Sequence, residues 1–304
     1  MSPDQPQKIR VRIEGRELTL SNLDKVLYPE HGFTKGEVID YYTRVAPVLL
    51  PHLADRPATR IRYPDGTGDG AFYEKNAPSH TPEWVRTVRL PTPRSTRGAS
   101  ETDFIVIDDL PTLGWCANLA ALELHVPQWR VGPRGGVREP DLMVFDLDPG
   151  EPATIVDACE VGLMLRDLLD ADGLASYPKT SGKKGLHLYV PVEETGRTSD
   201  YARKAAERLE REHPDQVLSQ MAKRLRKGKV FVDWSQNNPA KTTVAPYSLR
   251  AGAIPTVSAP VTWAEVETCR EPGDLRFDAD EMLTRVDEHG DLLAPLLTER
   301  QKLP

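Results

Sequence analysis

The sequence lacks several features that would place it in a special class of protein. It has only three cysteines, Cys116, Cys159 and Cys269, with no CxxC pair, so neither a disulfide framework nor a zinc site is expected. No apolar run approaches the roughly 20 residues of a membrane span. The first residues, MSPDQPQKIR, lack the apolar stretch of a signal peptide. These absences predict a protein of the reducing cytoplasm with no membrane contact.

The chain also lacks an overall positive charge. Its formal net charge is −7, which argues weakly against a nucleic-acid partner. The charge is unevenly distributed, because residues 221–250 contain seven basic residues and one acidic residue, whereas residues 264–291 contain three basic and ten acidic residues. A local basic segment can bind an anionic ligand even when the whole chain is acidic.

The pattern of elements predicts an α+β, or mixed α/β, fold. The 304 residues suffice for one large domain or two ordinary ones, and we find no internal repeat. Strands are predicted at 142–148, 186–190 and 229–234. Helices are predicted at 111–124, directly before His125, and at 216–227. Such a mixture of strands and helices builds one or two sheets.

The segment DLMVFDLDPG ends an apolar strand with two acidic residues. Because successive side chains of a strand alternate between its faces, Asp146 and Asp148 are expected on the same face. Two adjacent like charges repel unless a cation or proton intervenes, and Mg²⁺ or Mn²⁺ prefers carboxylate oxygens. A second strand, KVFVDWSQN, ends with Asp233. The three aspartates favour a two-metal site for phosphoryl transfer, although each alone could be a solvated strand end.

Several other residues could hold a polyphosphate opposite these acids. The loop in TSGKKGLHLYVP places Ser181 and Lys184 between glycines that let an anion approach the backbone. It lacks Walker A spacing, and a strand follows it instead of a helix. His125 and His187 occupy apolar segments and could equally be structural histidines. Arg250 ends the segment APYSLR, where its guanidinium can bind a phosphate bidentately.

Two further groups lie near the N-terminus. Asn22, Lys25 and Lys35 cluster around a short helix and the start of the next one, where an anion is favoured. Phe72 and Tyr73 are adjacent aromatics that could stack on a base. Exposed lysines and a half-buried aromatic pair are the commoner outcome for such residues.

Nine segments, in order along the chain, together resemble the polymerase domain of bacterial ligase D, a member of the archaeo-eukaryotic primase superfamily. The resemblance runs from about residue 9 to residue 292. The segments are LSNLDKVLYP, TKGEVIDYY, RPATRIRYPDG, AFYEKNAP, LELHVPQW, VFDLDPGE, TSGKKGLHLYVP, KVFVDWSQNN and KTTVAPYSLR.

The resemblance implies a primase-polymerase core, with an RRM-like antiparallel or mixed sheet and an N-terminal α/β module. Residues 9–292 would form a single catalytic domain. Its N-terminal module would end near residue 110, and its catalytic core would cover about 111–292. Residues 1–8 are expected to be a disordered tail, and residues 293–304 a C-terminal tail.

The resemblance also assigns roles to individual residues. Asp146, Asp148 and Asp233 match the family's catalytic, metal-binding acids. Residues that match its nucleotide site are His125, Ser181, Lys184, His187, Gln236 and Arg250. Residues that match its pocket for the 5′-phosphate of downstream DNA are Asn22, Lys25 and Lys35. Residues that match its template or DNA contacts are Phe72, Tyr73 and Arg226.

The family fills short gaps in DNA, often prefers ribonucleotides and commonly favours Mn²⁺ over Mg²⁺. The resemblance therefore implies a template-directed nucleotidyltransferase that uses two divalent metal ions, NTPs or dNTPs, and gapped or broken DNA with a 5′-phosphate. The family's domain is usually fused to ligase and nuclease modules. Because this chain ends in ERQKLP, we expect a stand-alone, nucleoid-associated monomer, rather than an excised domain, that works with a separate ATP-dependent DNA ligase and with Ku.

Two other functions fit part of the pattern. A two-metal or aspartyl-phosphate phosphohydrolase would use the DLD pair but would not need Asp233. A non-catalytic scaffold that binds DNA ends would use the basic residues alone. Nucleotide incorporation distinguishes the polymerase from both.

Overall fold

Two sheets, each covered by helices, organise the chain. The computed structural model describes residues 8–92 and 100–304, and it confirms the predicted α+β fold. Of the predicted N-terminal tail, residues 1–7 lie outside the described residues, and Lys8 begins the first strand. No helix in the described ranges combines the length and the apolar character required to cross a membrane.

A five-stranded sheet forms the C-terminal half, in the order β11-β12-β10-β14-β13. Neighbouring strands are antiparallel except β13 and β14, which are parallel. Helices α3 (Ile155–Ala171) and α4 (Thr198–Glu212) contribute to its core. The strands are β10 (Leu142–Pro149), β11 (Tyr177–Thr180), β12 (Leu186–Pro191), β13 (Val217–Leu218) and β14 (Val230–Asp233).

A six-stranded sheet forms the other half, in the order β15-β9-β5-β8-β7 with β6 paired to β5. Helices α1 (Lys35–Leu53) and α2 (Leu110–Asn118) pack within its core. A capping box between Thr34 and Glu37 fixes the start of α1. The strands are β5 (Pro57–Arg62), β6 (Phe72–Glu74), β7 (Thr87–Pro91), β8 (Glu101–Val106), β9 (Ala121–Val126) and β15 (Thr243–Val244).

Two small hairpins precede the six-stranded sheet, and three helices follow β15. The hairpins pair β1 (Lys8–Ile13) with β2 (Arg16–Ser21), and β3 (Val26–Tyr28) with β4 (Phe33–Thr34). The helices are α5 (Trp263–Thr268), α6 (Ala279–His289) and α7 (Pro295–Thr298).

The helix predicted over 111–124 is wrong in its second half. Helix α2 ends at Asn118, Ala120 adopts a positive φ of 57°, and β9 begins at Ala121. The run is apolar enough to suit either structure, and antiparallel pairing with β5 selects the strand. Consequently β9, and β15 beside it, belong to the six-stranded sheet. The boundary predicted near residue 110 therefore does not separate the two sheets.

Two other predicted segments also differ. Residues 216–227, predicted as a helix, form β13 and a 3-10 turn, because Val217 and Leu218 pair with β14. Residues 293–304, predicted as a tail, pack against the protein instead. Leu293 and Leu296 are buried beside Leu142 and Val144 of β10, which removes their apolar surface from water.

Candidate active site

Strand β10 has an apolar face and a face that turns from apolar to acidic. Met143, Phe145 and Leu147 point into the core formed with α3 and α4. The alternate residues Asp146 and Asp148 therefore share the opposite face, as predicted. The strand ends at a turn in which a Cβ on Gly150 would lie 2.0 Å from the carbonyl oxygen of Arg226. Glycine at this position allows the basic segment around Arg226 to approach the acidic strand end.

Asp233 lies directly across from Asp146 in the pairing of β10 with β14, and His187 lies across from Asp146 on β12. Lys179 on β11 continues the same row beyond His187. Side chains at directly opposed positions occupy the same face of a sheet. Pairing of four strands thus brings together two carboxylates, an imidazole and the amine of Lys179, whose pKa burial lowers well below its ordinary value.

Basic side chains of the protein contact both Asp146 and Asp148. Lys184 Nζ lies 3.1 Å from Asp148 Oδ1, and Arg226 Nη1 donates to Asp148 Oδ2 at 2.9 Å. His187 Nε2 lies 3.3 Å from Asp146 Oδ1. Although desolvation opposes ionisation, His187, and then Lys179 and Arg250, lower the pKa of Asp146 below its ordinary value.

Asp233 is oriented by the turn that follows its strand. Its Oδ1 accepts a hydrogen bond from the Ser235 backbone N–H at 3.0 Å, and its Oδ2 accepts one from Gln236 Nε2 at 2.8 Å. Lys241 Nζ lies 3.7 Å from the same carboxylate. With the side chains as they stand, residues 8–92 and 100–304 contain no group of three or more His, Cys, Asp or Glu side chains arranged to hold a metal ion.

An open cleft of about 310 Å³ lies over the acidic strand end, within the size range of small-molecule sites. Eight of the predicted site residues line it: His125, Asp146, Asp148, Ser181, Lys184, His187, Gln236 and Arg250. Lys183, Thr242, Thr243 and Val244 also line it and were not predicted. The cleft therefore combines two of the three predicted acids, Asp146 and Asp148, with the predicted polyphosphate-binding groups, whereas Asp233 lies beside it, bonded to the lining residue Gln236.

The loop between β11 and β12, residues 181–185, lies close to Arg250. Ser181 Oγ accepts hydrogen bonds from the backbone N–H groups of Gly185 at 3.1 Å and Lys183 at 3.3 Å, which fixes the turn. Gly182 has a φ of +71°, and a Cβ there would lie 2.5 Å from Arg250 Cγ. Glycine therefore permits both the backbone conformation and the close approach.

The buried side chain of Lys179 contacts the imidazole of His187. Lys179 Nζ lies 3.1 Å from His187 Nδ1 and donates to Ser258 Oγ at 2.6 Å. Burial, and then the neighbouring Lys179, lower the pKa of His187 to about 4. At neutral pH the imidazole is therefore uncharged, and its Nε2 side faces Asp146.

Sequence reasoning missed Glu123, which lies beside His125 and Arg250 and is only 2% exposed. Its position in LELHV, two residues before His125, puts both side chains on one face of β9. The helix predicted over this segment concealed that relationship, which a strand would have revealed.

The predicted 5′-phosphate residues form a second group. Asn22 adopts a positive φ of 55°, and its carbonyl accepts a hydrogen bond from the Lys25 N–H at 3.1 Å. Lys25 Nζ is paired with Asp65 at 2.9 Å. Lys35 is buried, and desolvation, with the nearby charges of Lys25 and Arg62, lowers its pKa to about 8. An anion bound among these positive groups would offset the repulsion that contributes to the lowered pKa of Lys35.

The aromatic pair is exposed on β6. Phe72 and Tyr73 on β6 are 57% and 66% exposed, which is unusual for large aromatics and leaves their rings accessible for stacking. Phe72 is paired with Arg62 of β5, and Arg62 is also an electrostatic neighbour of Lys35. Arg62 is thus a common neighbour of the aromatic pair and of the lysine group.

Comparison with known proteins yields consistent matches. The family model described as the LigD primase-polymerase domain matches residues 34–293. The Polymerase Domain from Mycobacterium tuberculosis Ligase D in complex with DNA is similar in structure, with a TM-score of 0.85 and 46% identity. That match covers 93% of this chain and 99% of the other.

Full-length relatives are considerably longer than this chain. The multifunctional non-homologous end joining protein LigD of Mycolicibacterium smegmatis is 49% identical over 282 residues, which are 91% of this chain and 36% of that protein. The bifunctional non-homologous end joining protein LigD of Bacillus subtilis is 33% identical over 278 residues, which are 90% of this chain and 43% of that protein. The chain therefore spans less than half the length of these curated relatives.

Proposed function

Since this chain belongs to the LigD primase-polymerase domain family, whose members are metal-dependent nucleotidyltransferases, we propose that it fills short gaps and extends ends in broken DNA. We further propose that it favours ribonucleotides and recognises a downstream 5′-phosphate. The observation that supports this most directly is that one cleft is lined by two acids and by candidate phosphate-binding residues: Asp146, Asp148, Ser181, Lys184 and Arg250.

The acidic residues suit divalent metal ions. Asp146, Asp148 and Asp233 supply only carboxylate oxygens, which Mg²⁺ and Mn²⁺ prefer, and the sheet register places Asp146 opposite Asp233. Lys184 and Arg226 each contact one oxygen of Asp148. Both oxygens of this carboxylate can therefore interact with a cation. Bound at these residues, two divalent ions, preferably Mn²⁺, would lower the pKa of a primer 3′-hydroxyl and neutralise charge on the phosphates.

The remaining cleft residues bind and orient the nucleotide. Arg250 and Lys184 supply positive charge to the triphosphate, and Ser181 lies at the same wall. Gln236, which holds Asp233, couples that acid to the bound nucleotide. His125 and the neutral His187 act as hydrogen-bonding groups near the acids.

The DNA would bind along the group formed by Asn22, Lys25 and Lys35. Asn22, Lys25 and Lys35 bind the downstream 5′-phosphate, while Phe72 and Tyr73 stack at the adjoining template. Arg226, which bonds to Asp148 in the structure, would contact a template strand beside the acids. The relatives' names refer to non-homologous end joining, and we propose that this chain acts in the same process. It would act as a cytoplasmic, nucleoid-associated monomer with an ATP-dependent DNA ligase and Ku.

Extension of a primer across a short gap with a downstream 5′-phosphate tests the function. We expect longer primer and pyrophosphate, faster synthesis with rNTPs than with dNTPs, and more with Mn²⁺ than with Mg²⁺. Release of inorganic phosphate without extension would instead indicate a phosphohydrolase. DNA-end binding that needs no metal and leads to no incorporation would indicate a scaffold.

The double substitution Lys25→Ala/Lys35→Ala should abolish the preference for a 5′-phosphorylated gap. Losing two cations that contact one phosphate should reduce that preference by about 10-fold or more, whereas synthesis on a gap ending in a 5′-hydroxyl should continue. The measurement is the ratio of kcat/KM on the two gapped substrates. Arg12→Ala, which removes a cation from an exposed pair with Glu17, is the control. An unchanged ratio in the double variant would rule out the assigned phosphate pocket.

A further inference from the structure

Glu123 is an acidic residue that lies behind the cleft. It is 2% exposed on β9, whereas the residues that line the cleft include its neighbours His125, Lys183 and Arg250. Burying a carboxylate is unfavourable unless its charge is compensated. The groups that compensate Glu123 indicate what it does.

Each carboxylate oxygen contacts two donors. Oε2 lies 3.0 Å from His125 Nε2 and 3.3 Å from Arg250 Nη1. Oε1 accepts a hydrogen bond from the Ala251 backbone N–H at 3.0 Å and lies 3.6 Å from Lys183 Nζ. His125, Lys183 and Arg250 come from three separate segments: β9, the loop between β11 and β12, and the chain after β15. Glu123 is therefore the common partner of three segments that meet at one wall.

The arrangement counteracts a repulsion that the cleft would otherwise have. Lys183 and Arg250 are like charges that approach the same wall, and like charges at short distance raise each other's free energy. A buried carboxylate between them removes that cost before any anionic ligand arrives. Despite the cost of desolvation, His125, Arg250 and Lys183 lower the pKa of Glu123 to about 2, so the charge is present throughout the neutral range.

The cations remain available to a ligand while Glu123 holds them. The Lys183 side chain is 49% exposed, and the Arg250 side chain is 12% exposed. Both residues also line the cleft. Both side chains can therefore contact an anion in the cleft while Glu123 compensates their charge.

We propose that Glu123 is a positioning residue that preorganises Arg250, Lys183 and His125 to receive the triphosphate of the incoming nucleotide. The inference rests on the proposed function in taking a nucleoside triphosphate as the ligand. Preorganised groups lose less conformational freedom when the ligand binds, so affinity rises without a new contact. Because Glu123 is 2% exposed and does not line the cleft, its effect should fall on nucleotide binding more than on the chemical step.

The test is Glu123→Gln, which keeps the shape and removes the charge. We expect the KM for NTP to rise by about 10-fold or more, the scale of one lost charge-assisted contact, with kcat changed by less than about threefold. Titration calorimetry with inorganic tripolyphosphate in Mg²⁺ should show a matching loss of affinity. Glu123→Asp, which keeps the charge on a shorter side chain, should give an intermediate KM.

Glu265→Gln is the matched control, because Glu265 forms a partly buried ion pair with Arg285 away from the cleft residues. It should leave both the KM and the tripolyphosphate affinity unchanged. An unchanged or lower KM for Glu123→Gln in an active, folded protein would overturn the inference. If Glu123→Gln does not fold, an unchanged KM in Glu123→Asp would overturn it. A parent protein that binds tripolyphosphate but extends no primer would refute the proposed function alone.

Discussion

Replacing Asp146 with asparagine is expected to lower the kcat of primer extension by at least about 1,000-fold, the factor that corresponds to about 4 kcal/mol of transition-state stabilisation. Asp146 lies at the centre of the row across the five-stranded sheet, between His187 and Asp233. Asparagine has nearly the same shape but supplies one neutral oxygen where the carboxylate supplies two anionic ones. The rate should fall with either Mn²⁺ or Mg²⁺, as measured in single-turnover extension of a gapped duplex.

The control for Asp146→Asn is Asp103→Asn, which removes a carboxylate from an exposed pair with Arg89 on the edge of the other sheet. Its rate should equal that of the parent. Circular dichroism and thermal unfolding establish that both variants are folded. Because Asp233 lies directly opposite Asp146, Asp233→Asn should show a loss of similar size. A folded Asp146→Asn protein that extends primer within about tenfold of the parent rate would contradict the metal assignment.

Local periodicity was enough to predict the acidic strand. The alternation in LMVFDLD predicts that Asp146 and Asp148 share a face, and the burial of Phe145 and Leu147 in the helix-covered core confirms it. The family was likewise predictable from its nine motifs, and the comparisons confirm it. Both depend on residues that are near one another in sequence or recur in fixed order.

Pairing between distant segments was not predictable in the same way. Nothing local to residues 121–126 distinguishes the end of an apolar helix from a buried strand, and the pairing of β9 with β5 decides it. Glu123 was missed for that reason. The contact between Arg226 and Asp148 depends on the close approach at Gly150, and the position of residues 293–304 depends on where β10 presents Leu142 and Val144.

The largest effect on stability is expected at Asp141, where the chain enters β10. Arg56 Nη2 donates to both oxygens of Asp141, at 2.7 and 2.9 Å, and Arg130 Nε lies 3.0 Å from the second oxygen. Arg56 is 1% exposed and Asp141 4% exposed. Burial lowers the pKa of Arg56, and Asp141 opposes that shift by stabilising the charged guanidinium. The pair joins the end of α1 to the first strand of the five-stranded sheet.

Asp141→Asn should therefore lower the free energy of unfolding by about 3–5 kcal/mol, because removing one partner leaves the other charge buried and uncompensated. The corresponding fall in Tm is roughly 10 °C for a chain of this size, measured by calorimetry at pH 7. Arg56→Met/Asp141→Asn should recover part of the loss, since the double variant no longer buries the unpaired Arg56 charge. Asp103→Asn, which loses an exposed pair, should leave Tm essentially unchanged. If Asp141→Asn unfolds at the same temperature as Asp103→Asn, the buried pair does not stabilise the junction.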